Sequence, residues 1–237
     1  MPRPDTNRWL PLLQQGRWFA SLSERDQRAL LAQARPRSLA AGERLFARGD
    51  PCDGLFALLD GSVHLGAVDA AGREQMLGVL EPPAWFGEIA VFDGGPRTHD
   101  AMARTAAALL QVPDAAWQAL AKEDPLWWRR LGQLLAEKTR ALFVGLEDLA
   151  ALPAPQRVAR RLLALADGHG MRAPGHARRE VPVSEAQLGA MLSLTRQTVS
   201  EVLGGFEARG WVRRGYGRIV LQDAAALAAL GAATPPE

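Results

Sequence analysis

The sequence predicts an α+β protein: an antiparallel β jelly roll, a long pairing helix and a C-terminal winged helix-turn-helix. Three observations carry that expectation. Short apolar runs separated by Gly, Pro and Asp turn signals fill residues 37–113, as in a small antiparallel barrel. Trp128, Leu135, Leu142 and Leu149 recur every seven residues, as in a helix that packs along another long helix. Two capped helical segments around a tight turn, followed by a Gly-containing basic hairpin, occupy residues 184–221, the pattern of a winged helix-turn-helix.

Composition limits the alternatives. The chain has 237 residues, 48% hydrophobic and 23% charged, near the average for soluble globular proteins. No stretch approaches the ~18 consecutive apolar residues of a membrane span. The start, MPRPDTNRWLPLL, has no apolar run followed by a small-residue cleavage site, so a cytoplasmic protein without a membrane partner is expected. The single cysteine, Cys52, cannot form an internal disulfide or supply the thiolates of an iron–sulfur or structural zinc site. The sequence contains no G-x-S-x-G, H-E-x-x-H or P-loop signature, so neither a catalytic residue nor a metal ligand is expected.

Charge is distributed unevenly. Residues 153–220 hold eleven Arg and five acids, a net of +6, which leaves −4 elsewhere in a chain of net +2. A basic module joined to a mildly acidic one suits a polyanionic partner for one half only.

Residues 5–35 read as short helices, with a capping-box spacing from Ser21 to Glu24 and a stripe of Leu22, Leu30 and Leu31. Strands are then expected at residues 44–47, 55–59, 63–68, 76–80 and 107–112. Turns are expected at Ala41-Gly42, Gly49-Asp50-Pro51, Asp60-Gly61, Ala71-Gly72, Pro82-Pro83 and Gly94-Gly95-Pro96. Arg48-Gly49-Asp50 is part of such a turn. Pro113-Asp114 opens a helix, and a longer one follows Asp124-Pro125 to about Leu152. Its heptad, with Leu131 and Leu152 on the flanking seam, predicts a homodimer. Leu152-Pro-Ala-Pro155 breaks that helix as a hinge. An amphipathic helix follows from Gln156 to Asp167, and then a Gly, His and Arg loop over 168–180.

Ser184-Glu-Ala-Gln187 has the spacing of a capping box and starts a helix to about Leu192; Thr195 caps a second from Arg196 to about Arg209. That second helix has an apolar face of Val199, Val202, Leu203 and Phe206, which holds it on a scaffold. Near its start stand Arg196, Gln197, Ser200 and Glu201, long or polar side chains suited to a major groove. Arg196 fits guanine O6 and N7, Gln197 fits adenine, and Glu201 can accept from cytosine N4. Thr195, Thr198 and the hairpin residues Arg213, Arg214 and Arg218 suit phosphate, which adds affinity without sequence information. Residues 222–237 read as a short Ala-rich helix and a tail.

Residues 182–220, PVSEAQLGAMLSLTRQTVSEVLGGFEARGWVRRGYGRIV, resemble the winged helix-turn-helix of the cyclic-AMP receptor protein and fumarate-nitrate regulator superfamily. The family's Ser-Arg-Glu-Thr-Val type run is matched by Thr195-Arg196-Gln197-Thr198-Val199, and Glu201 stands where many relatives carry a second Arg. Phe86-Gly87-Glu88-Ile89-Ala90-Val91-Phe92 and Arg97-Thr98 resemble the phosphate cassette of cyclic-nucleotide-binding domains. The resemblance implies that the backbone from Gly87 through Ile89, with Arg97 and Thr98, meets a cyclic phosphate, and that Glu88 accepts from a ribose hydroxyl. The positions expected near the base, Leu142 and Phe143, cannot hydrogen-bond a purine. His99-Asp100, next in the chain, is expected to bring bulk and a carboxylate close to the phosphate. An N-terminal Cys cluster for oxygen sensing is missing from residues 1–35. His64 or His99 as a haem ligand is set aside, because a lone strand His is ordinarily exposed or satisfied by a neighbour.

The resulting expectation is a cyclic-nucleotide-binding-type β jelly roll over 1–124, a dimerisation helix over 125–152 and a winged helix-turn-helix over 153–237. The resemblance implies a regulator that binds two-fold-related double-stranded DNA, with RNA polymerase as a further partner. Three accounts of the barrel stay open: a pocket gated by a cyclic nucleotide or related effector, a vestigial pocket on a ligand-independent DNA binder, and a nucleotide-binding regulatory module that acts on a protein partner.

Overall fold

The computed structural model describes residues 6–68, 74–169 and 171–232. The Ala71-Gly72 turn and the end of the C-terminal tail lie outside them. Contacts divide the chain into two compact units, with the boundary between Glu137 and Lys138 and with Met171–Pro174 counted in the first.

The first unit opens with a 3₁₀ turn, Thr6–Trp9, and helices α1 (Leu10–Leu13), α2 (Arg17–Ser21) and α3 (Glu24–Gln33). The cap of α3 corrects the expectation at Ser21. Ser23 has the extended backbone that precedes a helix, and its hydroxyl accepts from the Asp26 amide at 3.2 Å. Ser21 belongs to α2 and donates instead to the Trp18 carbonyl at 2.7 Å.

Eight strands follow: β1 (Arg35–Leu39), β2 (Arg44–Phe46), β3 (Gly54–Asp60), β4 (Val63–Val68), β5 (Glu74–Leu80), β6 (Ala84–Phe86), β7 (Asp100–Ala103) and β8 (Ala107–Pro113). They form two four-stranded sheets, β1-β8-β3-β6 and β2-β7-β4-β5, in which every pairing is antiparallel. Strand β3 explains why two sheets and a helical layer stack. Successive side chains point to opposite faces, and both faces of β3 are buried. Leu55, Ala57 and Leu59 pack with Trp18, Phe19, Leu30, Trp117 and Leu131. Phe56 and Leu58 fill the other side with Phe86, Val63, Ala101 and Leu109.

Between β6 and β7 lies the short helix α4 (Glu88–Asp93), and β8 leads into α5 (Asp114–Glu123) and the long helix α6 (Leu126–Ala151). Arg130 of α6 pairs with Asp124 at 2.9 Å and with Asp26 of α3 at 2.8 Å, and the Trp18 indole donates to its carbonyl at 2.6 Å. Residues 171–174 add to this unit: Arg17 N donates to Met171 O and Ala173 N to Gln15 O, both at 2.7 Å.

The second unit comprises the rest of α6, then α7 (Ala154–Ala166), β9 (Glu180–Val181), α8 (Glu185–Leu192), α9 (Arg196–Ala208), β10 (Val212–Gly215), β11 (Arg218–Leu221) and α10 (Ala224–Ala232). Pro155 sits in the first turn of α7, where its missing N–H is no loss. Val158, Leu162, Leu188, Leu192, Val199, Leu203, Phe206, Ile219 and Leu227 form one core. Ser184 and Gln187 make both bonds of the capping box on α8. At the turn, Ser193 is left-handed, with φ of 53°. The hairpin β10-β11 gains β9 as a third strand. Trp211, at its base, lies 5.6 Å from the Phe206 ring and beneath the Arg209 guanidinium.

Candidate functional site

In the second unit, α9 brings the expected reading residues onto one accessible surface. Thr195 caps the helix by accepting from the Thr198 amide at 3.1 Å, and the two hydroxyls lie 2.9 Å apart. Arg196, Gln197 and Glu201 are exposed, and Thr198 and Ser200 are half-buried. The Arg196 side chain is 79% exposed, with Nε 3.9 Å from Glu185 of α8. Gln197 Nε2 donates to Glu201 Oε1 at 3.1 Å.

The hairpin arginines differ from one another. Arg213 is exposed. Arg218 is exposed and paired with Glu180 of β9 at 3.2 Å. Arg214 is held within the unit: its main-chain N–H and Nε donate to the two oxygens of Glu207 at 2.9 and 2.8 Å. Its Nη1 lies 3.5 Å from Glu185 and 3.4 Å from the Ser200 hydroxyl. The helix and the hairpin are therefore clamped together by a residue expected to face phosphate.

In the first unit the cassette is built around Arg97, only 2% exposed. Its Nη1 donates to Gly87 O at 3.0 Å, and its Nη2 to Gly54 O at 2.7 Å and to the Asp53 carboxylate. The cation lies over the rings of Phe46 and Phe56, with centroid distances of 4.4 and 5.4 Å. The Nε atom is buried without a hydrogen-bond partner among the described residues. Gly87 caps α4 with a left-handed φ of 89°, and a Cβ there would stand 2.7 Å from Arg97 Nη1. The bend thus requires glycine. Glu88 is buried as the first residue of α4, Ile89 is half-buried and Thr98 is exposed.

The carboxylate beside Arg97 is Asp53, 44 residues earlier in the chain, rather than Asp100. Asp100 instead accepts from the Arg48 amide at 2.8 Å and closes the turn after β2. Asp53 also accepts from Gln111 Nε2 at 3.1 Å and lies 3.6 Å from Arg37. His99 Nδ1 is 2.9 Å from the Thr98 hydroxyl. Burial, together with the nearby Arg48 cation, lowers the His99 pKa from its ordinary value. Burial raises the pKa of the Cys52 thiol, which disfavours its nucleophilic thiolate.

The expected pairing residues of α6 divide between the two cores. Leu131 is fully buried inside the first unit and Trp128 packs against the same cluster. Leu135 is half-buried, and Leu149 packs on the core of the second unit. Leu142 and Phe143 are 68% and 60% exposed, beside exposed Val144 and Leu146. Leu131 is therefore a core residue, not part of an outward seam. Sequence spacing gave no signal for Asp53 or Glu207, because each acts on a residue far away in the chain or in another element.

Among the described residues, no group of three or more His, Cys, Asp or Glu could hold a metal ion, and no helix is long and apolar enough to cross a membrane.

Residues 36–124 match the cyclic nucleotide-binding domain family, and residues 156–230 match the Crp-like helix-turn-helix domain family. Among curated proteins, a CRP-like cAMP-activated global transcriptional regulator of Mycobacterium tuberculosis is 31% identical over 84% of this chain and 89% of its own length. The cyclic AMP receptor protein of Thermus thermophilus is 30% identical over 88% of this chain and 94% of its own. Among solved structures, a CRP/FNR-family transcriptional regulator from Thermus thermophilus aligns with a TM-score of 0.63 at 29% identity, covering 84% of this chain and 99% of that one. FixK2 from Bradyrhizobium japonicum shares the fold, with a TM-score of 0.70 at 24% identity over 85% of this chain and 98% of its own.

Proposed function

The chain belongs to the CRP/FNR family of DNA-binding transcription regulators, and from that premise we propose a cytoplasmic homodimer gated by a small anionic effector in the N-terminal barrel. The class we favour is a cyclic nucleotide or a close relative. The observation that carries this reading is the buried Nε–H of Arg97, which has no partner among the described residues, beside a glycine that can take no side chain. A charged donor in that setting favours an anionic acceptor. Arg97 Nε, the backbone from Gly87 through Ile89 and the Thr98 hydroxyl would hold the phosphate. Glu88 would accept from the ribose. Leu142 and Phe143 carry no hydrogen-bonding groups, so neither distinguishes one purine edge from another.

On the output side, Arg196, Gln197, Ser200 and Glu201 face the bases, while Thr195, Thr198, Arg213 and Arg218 contact phosphate. Arg214 positions the hairpin through Glu207. The exposed side chains of Leu142, Phe143, Val144 and Leu146 support pairing through α6 with a second copy. Such a dimer reads half-sites about one helical turn apart. Effector occupancy biases the break at Leu152 to Pro155 between two arrangements, only one of which suits DNA. RNA polymerase is the partner that family membership implies.

One observation favours a second reading, a ligand-independent regulator. Arg97 already has a carboxylate partner in Asp53, and the Phe46 and Phe56 rings lie beneath it, with Phe86 packed against both. Titration calorimetry of the dialysed full chain with cyclic AMP, cyclic GMP and cyclic di-GMP separates the two. Saturable binding that is lost in Arg97→Ala and weakened in Glu88→Gln, with DNA affinity shifted by the same nucleotide, is expected. No binding of any of the three and an unchanged DNA affinity would replace the gated reading with the second.

A further inference from the structure

We propose that residues 171–174 form a strap that links effector occupancy in the barrel to the DNA-reading unit, by a route separate from α6. This deepens the gated reading proposed above and rests on it. The connection between α7 and β9 is closed at its base by the bond from Arg178 N to Ala166 O at 2.9 Å. That base belongs to the second unit, but Met171–Pro174 belong to the first.

The strap docks as an antiparallel bridge between Arg172 and Gly16, in which Arg17 N donates to Met171 O and Ala173 N to Gln15 O. The receiving turn is firm. Gln14 Nε2 donates to Gln27 Oε1 at 3.0 Å, and buried Gln27 donates in turn to Phe19 O and Leu22 O. Arg172 is 5% exposed, and its Nη2 donates to Pro82 O at 2.7 Å. A guanidinium gives up its hydration at such a depth only where acceptors replace the water, so Arg172 is a seated anchor.

Pro82 leads into β6, which ends at the cassette. Trp85 of β6 meets Trp18 edge-on and stacks on Phe19, with ring centroids 5.2 and 5.6 Å apart, so the strand is joined to α2, the helix that Arg17 begins. Phe86 follows, 5.6 Å from Phe56, whose ring lies beneath the Arg97 guanidinium, and Gly87 O accepts from Arg97. Both contacts of the strap, at Pro82 and at α2, thus converge on the strand that carries the cassette. A shift of Arg97 onto an anion displaces Phe56, Gly87 and β6 within a close-packed layer, which transmits the movement. Beyond Gly175 the chain reaches β9, which pairs with β11 of the hairpin, and Arg179 O accepts from Leu221 N at 2.7 Å. An anion at one end and DNA at the other therefore bias the same strap between docked and released states.

The test uses the full chain, the three nucleotides named above and a duplex enriched from a randomised library. Arg17 is the first residue of α2, so its amide has no partner within the helix and its hydrogen exchange reports the strap. A nucleotide that shifts DNA affinity is expected to change that exchange by about fivefold or more in DNA-free protein. The double variant Arg172→Ala, Ala173→Pro removes the anchor and one donor of the bridge. It is expected to bind the nucleotide still, while losing most of the shift in DNA affinity. Arg172→Lys, which keeps a charged donor, retains the shift. Unchanged Arg17 exchange, or a full shift in the double variant, would overturn the strap as a link while leaving the gated reading intact. The exchange measurement needs no variant, so it decides the matter even where the double variant does not fold. If no nucleotide binds or shifts DNA affinity, the gated reading itself fails and the link fails with it.

Discussion

The Glu207 carboxylate grips Arg214 twice, accepting from its main-chain N–H at 2.9 Å and from Nε at 2.8 Å. One side chain of α9 thereby sets both the backbone and the cation of the hairpin's first strand. Glu207→Gln keeps the size and removes the charge. Amides of residues 212–221 should then exchange faster, and DNA affinity should fall evenly across sequences. The pKa of Glu207 is lowered by its bonds to the Arg214 amide and guanidinium. A carboxylate with a depressed folded pKa contributes stability above its unfolded value and loses it as pH falls through the folded one. The clamp should therefore be insensitive to pH from neutrality down to the ordinary value of 4.5 and loosen below it, as hydrogen exchange at a series of pH values would reveal.

Arg196 and Arg218 should fail differently. Arg196→Ala is expected to cost about 1–3 kcal/mol at one base position and to relax specificity there. Arg218→Ala should weaken specific and random duplexes alike and lower the salt slope by about one. Anisotropy titrations at several salt concentrations separate the two, and equal effects of Arg196→Ala on all sequences would contradict its base contact.

Leu131 and Leu142 occupy the same helix but different environments. Leu131 is fully buried, so Leu131→Ala should destabilise the first unit by about 2–5 kcal/mol through lost packing and a residual cavity. Leu142 is 68% exposed in the single chain. Leu142→Glu should leave denaturation of each unit nearly unchanged while shifting the sedimenting species from dimer towards monomer. An unchanged dimer would move the pairing surface elsewhere.

His169 gives the second unit an acid-sensitive point. Burial, with a smaller contribution from the Arg161 cation, lowers its pKa from 6.5 to about 4. The unfolded chain then binds the extra proton first as pH falls below 6.5, so stability declines in that window, in contrast to a histidine with a raised pKa. Lowering the pH from 7.5 to 5 should remove about 2 kcal/mol. The φ of 58° at this position is one that Asn tolerates. His169→Asn should flatten the loss seen in denaturant titrations at the two pH values.

Two glycines should respond in opposite directions to the same methyl group. Gly204 lies within α9, in open space, so Gly204→Ala should stabilise the protein by up to about 1 kcal/mol. Gly87→Ala forces a left-handed residue to carry a Cβ 2.7 Å from Arg97 Nη1, and should lower the melting temperature and displace the arginine.

Features set by neighbours in sequence are legible in the sequence alone. The Ser184–Gln187 box, the Thr195 cap, the break at Pro153 and the glycine before α4 depend on a few adjacent residues, and each occurs where the local chemistry requires it. Strand β1, Arg-Pro-Arg-Ser-Leu, was not legible: only Leu39 is buried, and its pairing partner β8 lies about seventy residues away. Strand β9 is two residues long and exists through its pairing with β11. At the cassette, sequence located Arg97 and Gly87 but assigned the neighbouring carboxylate to Asp100, because adjacency in the chain is visible and approach across a barrel is not. The heptad on α6 was likewise present as a pattern, yet it could not tell that Leu131 is needed inside its own unit.

The packing of Trp211 against Phe206 and Arg209 makes it a built-in reporter. Of the seven tryptophans in the chain, it alone belongs to the second unit. Protein labelled uniformly with 5-fluorotryptophan carries seven fluorine nuclei, and Trp211→Phe identifies the one at the base of the hairpin. Its chemical shift is expected to move when DNA binds, which a titration with duplex checks. Any movement of that single resonance when a nucleotide is added to DNA-free protein measures signal transfer along the chain, with no probe attached to either end.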